Sequence, residues 1–269
     1  MLNSTEEEVL LTTEEYEHYL KNSWITKENH IDSFLMNEVI ETFLFLCEKF
    51  SPRIFENIHN SSINNIEIHN RIIDFRRTNP KLFGKVYEIM QSSLSIKRIA
   101  LSNKIRNLAS LLLNTIPSRM MLRNSIMRID VPKDKRNILN WHYDEYVDGL
   151  SNHKSKGGVT IVIPLTDFSE KNGAPIICEG SHNNSPEQKC IENKDMNTNT
   201  YGISKSYIDS YKKKILTSIA GTAIAFPMCS VHRSGFNSSG MIRLSCLLRY
   251  YSYEYEDYLP LKESFDLLK

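Results

Sequence analysis

The sequence has no two cysteines spaced C-x-x-C, and its five cysteines, at 47, 178, 190, 229 and 246, are an odd number. This argues against a structural zinc site and a disulfide framework and points to a reducing compartment. It also has little net charge: 33 Lys and Arg stand against 32 Asp and Glu, a formal +1. A nucleic-acid groove needs a basic excess that is missing here. The basic runs Lys212–Lys214 and Arg76–Arg77 are short and read as solvated faces. Long apolar runs are missing too. Phe43–Leu46 and Leu108–Leu113 fall far short of the roughly 20 residues a membrane span needs. The start, MLNSTEEEVLL, is acidic and has no basic segment leading an apolar one, so no secretory leader is expected. There are no internal repeats and no low-complexity tracts. The expectation is a cytoplasmic protein with no membrane span and no nucleic-acid partner.

What is present suits a globular fold. Hydrophobic residues make up 41% of the 269 and charged residues 24%, enough to bury a core. The two halves differ in pattern. Over 5–113 the apolar residues recur at helical spacing: Val39, Ile40, Phe43, Leu44 and Cys47, then Leu82, Val86, Ile89 and Met90, then Ile96 to Leu112. Thr12 to Glu15 read as a helix start, Pro80 as a first-turn proline, and Asn60 to Asn65 as a loop. From about 120 the pattern changes to short strands: MMLRNSIMRIDVP, GGVTIVIP, GAPIIC, TAIAFP and MIRLSCLLRYYSY, with turn residues between them. Asn172–Gly173 reads as a hairpin turn. The polar stretch 183–214 reads as an insertion or lid with a short helix near SKSYIDSYKKK. The expected fold is mainly β with a helical layer. A double-stranded β-helix, or jelly roll, occupies 116–269, with a helical N-terminal region over 1–115 packed on it as one integrated domain.

Three motifs carry chemistry. The stretch NWHYDEYVDG holds His142 and Asp144, two residues apart. In an extended segment both side chains emerge on one side. Ninety residues on, His232 follows the strand GTAIAFP. Two imidazoles and one carboxylate from distant segments form the facial set that holds a non-haem Fe(II) and leaves its other face open for a 2-oxo acid and dioxygen. Arg243 lies 11 residues after His232, and Ser234 two residues after it. A cosubstrate carboxylate buried beside a metal needs a cationic clamp, and arginine's planar fork suits it. Ser234 can add a hydroxyl donor. The third motif is PLTDFSEKNGAPIICEGSH.

Together, WHYD, this block and HRSGFNSSGMIR resemble the phytanoyl-CoA dioxygenase-like family of Fe(II)/2-oxoglutarate-dependent oxygenases over about 120–250. The first 110 residues match only in being helical. The resemblance implies a small-molecule hydroxylase that consumes 2-oxoglutarate and O2 and releases succinate and CO2. It implies His142, Asp144 and His232 as both catalytic residues and iron ligands, with Arg243 and Ser234 on the distal carboxylate of 2-oxoglutarate. It also implies Thr160 against the cosubstrate. On the strand before the motif, alternation counted from Pro132 turns Ser125, Met127 and Ile129 inward. Glu179 stands where the family has proline and is expected to alter a turn. His182 reads as a brace or substrate contact, Trp141 as packing, and Arg128 and Arg249 as pointing away from the iron into ion pairs. The substrate is expected to be a small polar metabolite or a sugar-containing biosynthetic intermediate. The rival readings are a non-catalytic jelly-roll binding protein and a zinc hydrolase. The number of subunits is not legible.

Overall fold

The computed structural model describes residues 10–56, 62–135, 138–144, 157–184, 189–193 and 198–255. Six helices fill the first part: α1 (Thr13–Asn22), α2 (Ser33–Phe50), α3 (Ile66–Thr78), α4 (Pro80–Gln91), α5 (Leu94–Ala100) and α6 (Asn103–Leu112). Local chemistry sets their ends. Thr12 and Glu15 form a reciprocal capping box at α1, which satisfies two N-terminal amides. Pro80 opens α4 at its first turn. The apolar pattern from Ile96 to Leu112 is split into two helices because Leu101 and Ser102 leave the helical path, Ser102 being extended at φ −62°, ψ 149°.

Ten strands are described. β1 (Ile25–Lys27), β2 (Met120–Asp130), β3 (Gly158–Pro164), β8 (Ala223–Pro227) and β10 (Arg243–Ser252) form a five-stranded antiparallel sheet in the order β1-β8-β3-β10-β2. β4 (Ile176–Cys178), β7 (Lys213–Ile215) and β9 (His232–Arg233) form a second sheet in the order β7-β4-β9. A bridge between His142 and His232 adds the H-x-D segment to its edge. β5 (Lys189–Asn193) and β6 (Thr198–Gly202) make a separate hairpin, followed by α7 (Lys205–Asp209). The architecture is therefore mixed helix and antiparallel sheet, with a five-stranded and a three-stranded open sheet beside the two-stranded hairpin.

One apolar cluster joins Val39, Phe43, Ile72, Phe75, Ile96 and Ile105 of the helices to Met127, Ile161, Leu244, Cys246 and Leu248 of the large sheet. The helices thus cover one face of that sheet. A second cluster, with Val162, Phe168, Ile177, Ile224 and Phe226, lies between the large and small sheets. The central strands β3 and β10 are consequently buried on both faces.

Three expectations need correction. The helical region contains a strand, β1, which pairs with β8 through Ile25 opposite Ala225. Asn172–Gly173 makes a turn, with Gly173 at φ +84°, but β3 and β4 on either side of it belong to different sheets. The turn carries the chain from one sheet to the other. A Cβ on Gly173 would stand 2.6 Å from the Gly235 carbonyl oxygen, so this crossing needs glycine. Finally, the polar stretch 183–214 is not all insertion, because Lys213 and Lys214 already belong to β7 of the small sheet.

Candidate metal centre

His142 and His232 are drawn together by the backbone. Each amide donates to the other's carbonyl, at 2.9 and 2.8 Å, and the ring centroids stand 4.4 Å apart. Each ring then uses Nδ1 on its own strand: His142 Nδ1 lies 2.6 Å from the Asn140 carbonyl and His232 Nδ1 3.0 Å from the Ser230 carbonyl. A carbonyl only accepts, so Nδ1 carries the proton in both rings, and each Nε2 presents a lone pair. Both Nε2 atoms face the same oxygen of Asp144, Oδ1, at 3.7 and 3.8 Å. The three ligand atoms lie within 4.8 Å of one another. The GSH block supports this arrangement from behind. Ser181 Oγ accepts from the Val231 amide, and the Cys178 amide donates to the Val231 carbonyl.

Asp144 is 1% exposed and is held from both sides. Thr160 Oγ1 donates to its Oδ2 at 2.6 Å, and Arg249 Nη2 donates to its Oδ1 at 2.8 Å. Burial alone would raise the carboxyl pKa. The Arg249 guanidinium, with His232 and His142, outweighs it and holds Asp144 well below the usual carboxylate range. Burial, with His142 adding, pushes His232 down to about 4. His232 is thus a neutral imidazole and Asp144 a carboxylate, the protonation states that ligate a metal.

A cleft opens on the cluster, lined among others by Arg243, Ser234, Arg128, Ser245, Arg249 and Phe226. Arg243 is buried. Its Nη2 donates to Asp130 Oδ2 at 2.7 Å, and its plane lies over the Phe168 ring. Its Nε and Nη1 are buried with no hydrogen-bond partner among the described residues. Unpaired buried donors are rare and costly. A carboxylate entering the cleft would satisfy these two. Arg128 pairs with the other oxygen of Asp130 at 3.0 Å. Two arginines therefore share one acid. Burial would raise the Asp130 carboxyl, but Arg128 and Arg243 outweigh it and hold it below its ordinary value.

The sequence-expected residues divide as follows. His142, Asp144, His232, Arg243 and Ser234 are brought together around the cleft. Thr160 reaches the metal cluster, but through Asp144 and not as a wall of the cleft. Ser125 and Met127 do not belong to the site. Met127 pairs with Cys246, and Ser125 with Leu248, residues that face the helices. Gln91 of α4 takes both the amide and the carbonyl of Met127. The inner positions of β2 are the others, Asn124, Ile126, Arg128 and Asp130, opposite Arg249, Leu247, Ser245 and Arg243. Arg128 and Arg249 accordingly do enter ion pairs, but they point toward the cleft. Arg249 was findable. It lies six residues from Arg243, so strand alternation turns both to one face. Asp130 had no such signal.

Other side chains act as braces. His182 Nε2 sits 3.0 Å from the Leu20 carbonyl, away from the cluster. Asn237 Nδ2 donates to the Asp130 and Met241 carbonyls, and its own carbonyl takes the Lys133 amide. Trp141 packs beside the site under the Arg233 guanidinium. Glu179, in place of proline, accepts from Trp24 Nε1 and pairs with Lys212. His59 and His153 lie outside the described residues, as do Tyr146 and Asp148.

A buried two-histidine, one-carboxylate cluster at the inner face of an antiparallel sheet defines a class, the mononuclear non-haem metal proteins with part of the coordination sphere left open. The family can be stated more closely. The phytanoyl-CoA dioxygenase (PhyH) family model matches residues 30–245, and the chain belongs to that family. No curated protein sequence matches it. Several solved structures share the fold. The epimerase SnoN in complex with Fe3+, alpha ketoglutarate and nogalamycin RO superposes with a TM-score of 0.59 at 14% identity, covering 89% of this chain and 82% of that one. EvdO2 from Micromonospora carbonacea var. aurantiaca, complexed with 2-oxoglutarate, gives 0.56 at 14% identity, over 90% of this chain and 91% of that one. EctD from S. alaskensis, with 2-oxoglutarate and 5-hydroxyectoine, gives 0.59 at 14% identity, over 91% and 78%. At this identity the likeness is one of fold. No helix among the described residues is long and apolar enough to cross a membrane.

Proposed function

We propose that this protein is an Fe(II)/2-oxoglutarate-dependent dioxygenase that hydroxylates a small-molecule or sugar-containing biosynthetic substrate. The observation that carries the reading is the pair of unpartnered buried donors of Arg243, which line the same cleft as the His142–Asp144–His232 cluster. A metal site alone fits many chemistries. One with a buried guanidinium in the same cleft suits a cosubstrate that has a carboxylate at each end.

In this reading His142 and His232 bind iron through Nε2 and Asp144 through Oδ1. Arg243 and Ser234 hold the distal carboxylate of 2-oxoglutarate. The bound iron supplies the oxidative chemistry in which 2-oxoglutarate and O2 give succinate and CO2 as a substrate C–H bond is hydroxylated. The chain's own part is positional. Thr160 and Arg249 hold the ligand carboxylate in one orientation, and Val162, Leu247 and Phe226 keep the floor of the cleft apolar. We further read the two sheets as the halves of a jelly roll and the helical region as part of the same integrated domain. The relatives of shared fold whose structures contain iron or 2-oxoglutarate lend support.

A non-catalytic binding protein would not need the complete ligand set together with Arg243. A zinc hydrolase would leave the two free donors of Arg243 without a purpose. The test is succinate formation from 2-oxoglutarate by the purified protein with Fe(II) in air, beside an anaerobic control. Oxygen-dependent succinate supports the reading; none under any iron or cosubstrate concentration sinks it.

A further inference from the structure

Asp130 ends β2 and Arg243 begins β10, and the two stand directly opposite each other in the ladder. Their side chains meet: Arg243 Nη2 donates to Asp130 Oδ2 at 2.7 Å. Arg128 donates to the other oxygen, Oδ1, at 3.0 Å. Each oxygen of the acid thus carries one guanidinium group. The backbone beneath the acid is held as well, because Asn237 Nδ2 donates to the Asp130 carbonyl at 3.0 Å. The Arg243 guanidinium also lies over the Phe168 ring, 5.2 Å from its centroid. Ordering so long a side chain costs conformational entropy. Here the acid and the ring order it before any ligand enters. Asp130 itself is not among the residues that line the cleft. It reaches a bound molecule only through Arg243.

We propose that Asp130 is a positioning residue that sets the length of 2-oxo acid the cleft accepts. By pinning Arg243 from outside the cleft, it fixes how far from the metal cluster a distal carboxylate meets the guanidinium. A free arginine could follow a longer acid. A pinned one discriminates, because a misplaced carboxylate leaves its buried donors unpaired. The proposal rests on the oxygenase reading above and on Arg243 as the distal clamp.

The test compares three probes: 2-oxoglutarate, 2-oxoadipate, which is one methylene longer, and 2-oxobutyrate, which lacks the distal carboxylate. Each is titrated calorimetrically into the full chain loaded with excess Ni(II), which binds without turnover. The wild-type protein is expected to prefer 2-oxoglutarate to 2-oxoadipate. Asp130→Asn keeps the shape of the side chain but offers one acceptor oxygen to two guanidinium groups. It is expected to weaken 2-oxoglutarate by about tenfold to a hundredfold, the loss of one charge-assisted hydrogen bond. It should weaken 2-oxoadipate much less and leave 2-oxobutyrate unchanged. Asp130→Glu keeps the charge, moves it by one methylene, and is expected to shift the preference too; it serves if the asparagine variant does not fold. An unchanged ratio between the two dicarboxylates in these variants overturns the proposal, even where both affinities fall, since a purely structural role weakens both alike. Equal loss of 2-oxobutyrate binding also overturns it, by placing the damage at the metal, and so does a wild-type protein that does not discriminate the two lengths. If the wild type binds 2-oxoglutarate no better than 2-oxobutyrate, Arg243 is not the distal clamp. If it binds none of the three, the oxygenase reading itself has failed.

Discussion

Thr160 and Arg249 face each other across the β3–β10 ladder, and both side chains end on the same carboxylate, Asp144. The large sheet thus orients the metal ligand by a directly paired couple, one residue on each oxygen. The Asp144 amide adds a further tie, donating to the Met228 carbonyl at 2.8 Å.

Thr160→Val keeps the shape and removes the donor. The Oδ2 atom of a buried carboxylate then loses its partner, a loss of about 1.5–3 kcal/mol for a hydrogen bond to a charged group. Metal affinity is expected to fall by roughly tenfold to a hundredfold, with a lowered melting temperature. A metal titration followed by thermal unfolding checks this. Unchanged metal affinity would show that Arg249 alone fixes the carboxylate.

Single replacement of His142, Asp144 or His232 by alanine is expected to abolish iron binding and turnover while the helices and sheets persist. The apolar clusters do not depend on these side chains. Iron stoichiometry, succinate formation and circular dichroism report on the three parts of this prediction. Wild-type iron content in any one variant removes that residue from the ligand set.

For Arg243→Ala the expected effect falls on the cosubstrate and spares the metal. Breaking a buried charge pair costs about 2–5 kcal/mol, a factor of roughly 30 to several thousand in affinity. Asp130 keeps Arg128 as its partner, so the fold should hold. Cosubstrate titration at saturating iron gives the answer, and an unshifted midpoint would mean that the two unpaired donors of Arg243 serve something other than 2-oxoglutarate.

His69 links the helical layer to the start of β10. Its Nδ1 accepts the buried amide of Ile242, next to Arg243, at 3.1 Å. Burial lowers its pKa from the ordinary 6.5. A depressed folded pKa means that the unfolded chain takes up protons first as pH falls. The stability from this group is present above about 6.5 and is lost as pH drops through the folded value. His69→Ala strands the Ile242 amide, costing about 1–3 kcal/mol, and removes that acid sensitivity. Melting curves at neutral and mildly acid pH should show wild type losing more stability on acidification than the variant. Equal losses would exclude His69 as the cause.

The sequence by itself determined whatever depends on near neighbours. Helix stripes, the capping box and the proline start of α4 are local, and the structure keeps them. The set His142–Asp144, His232, Ser234 and Arg243 was legible because alternation along one extended segment fixes which side chains emerge together. Tertiary structure alone decided which face of each strand meets the metal. β2 is covered by helices on one side and lines the cleft on the other, so Ile126 and Met127 are both acceptable to either face. With apolar residues in both parities, the pattern cannot say which looks inward. Pairing with β10 settled it, turning Arg128 and Asp130 to the cleft and Ser125 and Met127 to the helices. The Arg249–Asp144 contact, spanning 105 positions of sequence, had the same origin. It exists because antiparallel pairing sets Arg249 beside Thr160, and that partnership is a property of the assembled sheet, not of either segment.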